Sequence, residues 1–191
     1  MTYERPGVIA LLYAHVKSES LRKHCFAVEA GMLGYARFIG LDDAERSEWQ
    51  ACGLLHDLDF ESHPETHPHQ GIKWLTEAGY SEYFTKAVLG HAQDDASARE
   101  STMAKVLFAV DELSSFIVAV ALMRPEGFDG LGVKSVTKKL KDKAFARAVD
   151  RDGIKLGAEA LSMELSQLIE IVINGLIEQQ AILKNEGLSL I

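Results

Sequence analysis

Residues 21–39 read LRKHCFAVEAGMLGYARFI. Leu21, Cys25, Val28, Met32, Tyr35 and Ile39 recur at steps of three and four, which makes one face of a helix apolar along its whole length. Gly40 follows where a helix would end on a glycine. Working outward, a short helix is expected over about 8–17 and the long one over about 19–39. Asp42 then caps a third helix, with Glu45 completing a capping box. That helix carries Trp49, Cys52 and Leu55 and ends near His56-Asp57. A polar loop spans 59–68, and two short helices follow over about 69–78 and 82–91, separated by Gly79, with Ser81 capping the second. A long helix is expected over about 101–123, a glycine-rich turn over 127–132, a basic helix over 133–149, and a short helix to about 161. Ser162 is expected to cap a last helix of about twenty residues. Pro6, Pro64, Pro68 and Pro125 fall between these patterns, and nothing alternates long enough to read as a strand. The reading is all-α, a helical bundle forming one domain over 1–191, with a core over about 19–124 and a helical extension over about 133–185.

Bulk properties narrow the class. The chain has 191 residues, 47% of them hydrophobic and 25% charged, so a folded globular domain is expected rather than a disordered or fibrous one. Lys and Arg number 20 against 28 Asp and Glu, a formal charge of -8. A surface that acidic repels polyphosphate backbones, so no nucleic-acid polymer is expected as a partner. A small anionic substrate stays open if a metal supplies local positive charge. No apolar run approaches the length of a membrane span, and no membrane partner is expected. Cys25 and Cys52 form no CxxC and read as buried free thiols, which suits a reducing cytoplasm.

The chemistry concentrates in a few residues. His24 lies mid-helix at the edge of an apolar face. His56-Asp57 follows Gly53-Leu54-Leu55 directly, and Asp111 sits inside an apolar helix beside Leu107, Phe108 and Val118. A carboxylate buried there without a partner costs several kcal/mol, so each must be paired, protonated or bound to a cation. Two buried aspartates and two histidines on neighbouring helices suit one cation held by His24, His56, Asp57 and Asp111. The alternative is a capping role for Asp57 and an ion pair for Asp111.

The order His24, His56-Asp57, Asp111 resembles the HD superfamily of metal-dependent phosphohydrolases, whose motif is His…His-Asp…Asp on an all-helical scaffold. The likeness runs at motif level over 21–124. Beyond the motif, FAVDELSSFIVAVALMRP (108–125) and VKSVTKKLKDKAFARAV (133–149) resemble a small bacterial branch of HD hydrolases. The resemblance implies an HD-domain bundle, a divalent transition metal (iron, manganese, cobalt, nickel or zinc) as one or two ions, and water attacking a small phosphomonoester or phosphodiester such as a nucleotide. Binuclear members add two histidines between His-Asp and the last Asp. Here His67 and His91 fit that step, Asp57 would bridge the ions, and His63 and His69 compete for the role of His67. A di-iron oxygenase also occurs on this scaffold, and a metal- or nucleotide-binding module without turnover is the third reading.

One departure stands out. Many members carry Glu or Lys four residues after the motif His, whereas this chain has Phe60. Asp59 and Glu61 flank it and are candidates to orient or activate water. Lys138 and Lys141 on the basic segment, Arg124 at the end of the Asp111 helix, and Lys23 beside His24 are the candidates to meet a substrate phosphate.

Overall fold

The computed structural model describes residues 3–92 and 99–191. Among them the chain forms nine α-helices and no strand: α1 (Arg5–His15), α2 (Glu19–Phe38), α3 (Asp43–Leu55), α4 (His69–Glu77), α5 (Glu82–His91), α6 (Thr102–Leu122), α7 (Val133–Leu140), α8 (Arg151–Ala160) and α9 (Leu165–Asn185). Local chemistry sets most of the starts. Ser18, Ser81 and Ser101 each accept a backbone N–H at the head of α2, α5 and α6, and Asp42 with Glu45 makes the expected capping box on α3.

Three expectations need correction. Pro6 stands in the first turn of α1, which therefore starts upstream of 8. Proline suits that turn because its missing N–H would be unpaired there anyway. The basic helix stops at Leu140, and 141–149 is a chain of turns. Arg151 accounts for it, since its guanidinium donates to the carbonyls of Leu140, Asp142, Phe145, Ala146 and Val149, which an extended helix would have bonded internally. Ser162 does not cap α9. It takes a positive φ of 51° in the α8–α9 turn, and Glu164 holds the cap position.

The bundle is built around α2, which packs against α3, α6 and α9, while α6 in turn carries α5 and α8. The C-terminal segment is thus part of the core rather than an appendage. Two crossings depend on glycine. A Cβ on Gly175 of α9 would lie 2.3 Å from the Ala30 carbonyl oxygen, and one on Gly34 would lie 2.9 Å from that of Ile171, so α2 and α9 touch backbone to backbone. Gly53 does the same for α3, where a Cβ would stand 2.8 Å from the Glu29 Cα. This second approach lies three residues before His56, and it draws the end of α3 against α2 five residues beyond His24. Among the described residues no single helix is long and apolar enough to cross a membrane.

Candidate metal centre

Four helices and one loop deliver six side chains to one point. α2 brings His24, the end of α3 brings His56 and then Asp57, the loop before α4 brings His67, the last residue of α5 is His91, and α6 brings Asp111. His56, Asp57 and His91 are buried, and His24, His67 and Asp111 are partly exposed toward a cleft of about 430 Å³.

The side chains form two groups that share Asp57. Its Oδ2 faces His24 Nε2 at 3.3 Å and His56 Nε2 at 3.5 Å, and Asp111 Oδ1 lies 3.2 and 3.5 Å from the same two nitrogens. Its Oδ1 faces His67 Nε2 at 3.4 Å and His91 Nε2 at 3.5 Å. Ligands held at about 2.1 Å around one ion stand roughly 3.0 to 3.4 Å apart, and these spacings are close to that range. The buried His and Asp groups could hold a metal ion.

The outer hydrogen bonds point the same way. His56 Nδ1–H donates to the Gly53 carbonyl at 2.8 Å, and His91 Nδ1–H donates to that of Val88 at 2.5 Å. A carbonyl only accepts, so Nδ1 carries the proton and Nε2 presents a lone pair. His67 Nδ1–H donates to Asp59 Oδ1 at 2.7 Å, and His24 Nδ1 meets Ser115 Oγ at 2.7 Å. The result is two pairs of inward nitrogens, His24 with His56 at 3.1 Å and His67 with His91 at 3.0 Å. Two lone pairs at that distance repel unless a proton or a cation lies between them. The titration of the cluster reflects the same demand. Burial works against a charge on His24, but Asp111 and Asp57 override it and push His24 up to about 10. Burial likewise opposes ionisation of Asp57 and Asp111, but His56 and His24 outweigh it and hold both well below the usual carboxylate range.

The residues expected to do other work stand as follows. Asp59 is fully buried, with Oδ1 on His67 and Oδ2 accepting the Gly71 N–H at 2.7 Å. Both oxygens carry a hydrogen bond and Asp59 is not among the residues lining the cleft, a placement that suits orienting His67. Glu61 accepts the backbone N–H groups of Lys17 (2.6 Å) and Ser18 (3.1 Å), fastening the loop to the head of α2. Of the competing histidines, His63 lies against Ser62 and Trp74, and His69 is exposed on α4. Phe60, half exposed, stands edge-on to the His67 ring at the rim of the cleft. None of the four basic candidates lines the cleft. Lys23 pairs with Glu19, Arg124 donates to the carbonyls of Gly127 and Asp129, and Lys138 and Lys141 are exposed.

Asp59 and Ser115 hold His67 and His24 in ways that sequence reasoning did not foresee. Asp59 follows Asp57 by two residues, and its partners appear only once the loop has folded back on α4. Compared with family models, curated proteins and solved structures, the chain matches none of them.

Proposed function

We propose that the chain is a metal-dependent phosphohydrolase of the HD type that cleaves a small phosphomonoester or phosphodiester. The observation that carries the reading is the division of Asp57, with one carboxylate oxygen facing each histidine pair. On this reading His24, His56, Asp57 and Asp111 hold one ion, and His67 and His91 with the second oxygen of Asp57 hold another. Mixed nitrogen and oxygen donors favour iron, manganese, cobalt, nickel or zinc over calcium. A divalent ion bound there supplies Lewis acidity and a water of lowered pKa. The chain's own contribution is orientation. Ser115 and Asp59 fix two imidazoles, backbone carbonyls fix the other two, and Phe60 and Phe108 line the cleft beside them. Cys25 and Cys52, both buried as free thiols, support a reducing, cytoplasmic setting.

A di-iron oxygenase is the second reading. The burial of Asp59 favours it, because Asp59 does not line the cleft where it could take a proton from water. One experiment separates the two: metal analysis of anaerobically purified protein, followed by a panel of phosphate esters with and without manganese. Manganese-dependent phosphate release supports the phosphohydrolase. Two irons per chain, with oxygen uptake and no phosphate release, replaces it with the oxygenase. His91→Ala should remove one ion and leave the other. One ion per chain in the native protein, with His91→Ala unchanged, removes the two-ion arrangement and the oxygenase with it.

A further inference from the structure

Phe60 is an apolar ring that the chain holds in the open. It is half exposed at the rim of the cleft, edge-on to His67 with ring centroids 5.2 Å apart. The residues on either side of it are anchored. Asp59 is tied to His67 and to the Gly71 N–H, and Glu61 to the backbone N–H groups of Lys17 and Ser18. The backbone N–H of Phe60 itself donates to the Asp57 carbonyl at 3.1 Å. The ring is therefore presented by fixed backbone, not by a loose loop tip.

A single exposed apolar residue is ordinary on a protein surface, but Phe60 has company. Leu21 from α2, Phe108 from α6, and Ala148 and Val149 from the turns before α8 line the same cleft. Val149 is fixed as Phe60 is, since its carbonyl accepts from Arg151, the residue that unwinds 141–149. A second hollow of about 490 Å³ adjoins, lined by Ser18, Ser20, Leu21, His24, Phe60 and Glu61. Leu21, His24 and Phe60 belong to both, so a group lying on the Phe60 ring has room around it. The acids Glu112 and Asp150 also line the cleft, but Glu112 accepts the Asp150 backbone N–H and Asp150 caps α8 through the Asp152 N–H at 3.0 Å, and neither is assigned to the substrate. Among the described residues no Lys or Arg lines the cleft, so a second anionic group has no cationic side chain to meet there.

We infer that the cleft takes the phosphate monoester of an uncharged aromatic alcohol, with the phosphoryl group at the histidine–aspartate cluster and the ring of the alcohol on Phe60. The inference rests on the phosphohydrolase reading for the place of the phosphoryl group and adds the class of the alcohol. Hydrolysis joins a water oxygen to phosphorus and breaks the bond from phosphorus to the alcohol oxygen, which leaves with a proton from that water. Phe60 is a specificity residue here, because it covers the leaving alcohol and touches no reacting atom. Contact between two rings is worth more than the apolar area it buries. Phe60 stands one ring away from an imidazole of the cluster, which suits a ring joined to the phosphate by a short link.

The test compares matched pairs on the metal-loaded full chain. Benzyl phosphate and n-propyl phosphate differ in the ring but little in the acidity of the leaving alcohol, and their unhydrolysable counterparts are 2-phenylethylphosphonate and butylphosphonate. Covering Phe60 should favour the ring compound by about fivefold or more, in kcat/KM for the esters and in calorimetric affinity for the phosphonates. Phe60→Ala should bring both ratios toward one, with the kinetic change carried by KM, whereas Phe60→Trp should keep them. Phe60→Leu holds apolar bulk at the anchored position without a ring, and it should lower both ratios even if Phe60→Ala loses metal. Equal handling of ring and alkyl compounds, a preference for 3-phosphoglycerate or a nucleoside monophosphate over benzyl phosphate, or ratios that the Phe60 variants leave untouched would overturn the inference. So would failure of both phosphonates to bind. If 2-phenylethylphosphonate binds preferentially through Phe60 while no ester is hydrolysed, the phosphohydrolase reading falls and the assignment of the cleft stands.

Discussion

Helix α2 carries two buried polar clusters five residues apart, and they resolve the same problem in opposite ways. At Glu29 the carboxyl is fully buried, and the chain itself supplies the compensation. Arg5 from α1 donates to it at 3.0 and 3.2 Å, and Gln179 from α9 donates at 2.6 Å. Burial pushes Glu29 up to about 7 against the pull of Arg5. At His24 no Lys or Arg among the described residues takes part in the cluster, and the partners that face Asp57 and Asp111 there are imidazoles, whose nitrogens face one another. The first cluster is closed and joins helices. The second opens to a cleft and needs a positive charge from outside the side chains that form it, either protons or a metal. Buried charge compensated within the chain belongs to architecture, and buried charge left for a ligand to balance belongs to function.

The strongest way to break this contrast is Asp57→Ala. Asp57 touches both histidine pairs, so the change should weaken metal binding more than about a hundredfold, beyond the 10- to 100-fold that loss of an outer partner of a ligand brings. Metal analysis after dialysis, with circular dichroism to show retained helix, checks it. Full metal content would mean that the cluster is a structural network like the one at Glu29. Next in size is Asp59→Asn, which removes the acceptor that fixes the tautomer of His67. Affinity should fall about 10- to 100-fold at the His67–His91 half and little at the His24 half, read as two-phase metal titration. An equal loss at both halves would mean that Asp59 supports the loop as a whole.

Much of this was legible from residues alone, for physical reasons that can be named. The caps at Asp42 and Ser81 are local, since a side chain reaches a backbone N–H two or three residues on. The apolar periods of α2 and α6 are local too, and they expose an odd residue such as Asp111 within an otherwise apolar face. Long-range partners leave no such mark. Glu29 sits in the run Ala27-Val28-Glu29-Ala30 without any sign that Arg5 and Gln179 will converge on it. Arg151 likewise ends α7 from eleven residues away, so helix periodicity over 133–149 reads longer than the helix is. The basic residues near the motifs suggested phosphate contacts, but proximity in sequence to a ligand does not aim a side chain at the cleft.

A smaller effect tests the closed cluster. Glu29→Gln should change the pH dependence of stability and leave metal content intact. The sign follows from the raised carboxyl. The unfolded chain releases this proton near 4.5 and the folded one near 7, so the contribution is full below 4.5 and lost as pH rises to about 7. The native protein should therefore lose stability relative to Glu29→Gln across that window, by on the order of 3 kcal/mol at most, and run parallel to it above. Urea midpoints of both proteins at several pH values measure the difference. Parallel curves from pH 4.5 to 7 would mean that Arg5 holds Glu29 ionised throughout.

The smallest expected effect sharpens the boundary of the open cluster. His63, His67 and His69 lie within seven residues of one another, and chemistry alone does not choose among them. The choice is made by Asp59, which grips His67 Nδ1 with one oxygen and the Gly71 N–H in the first turn of α4 with the other. That double hold turns His67 Nε2 to 3.4 Å from Asp57, while His63 is taken up by Ser62 and the Trp74 ring and His69 faces outward on α4. His63→Ala and His69→Ala should accordingly leave metal content unchanged and shift stability by no more than about 0.5 kcal/mol, as surface substitutions do. His67→Ala in the same assay should lose the ion held with His91. If His63→Ala or His69→Ala instead removes an ion, the grip of Asp59 on His67 does not choose the ligand.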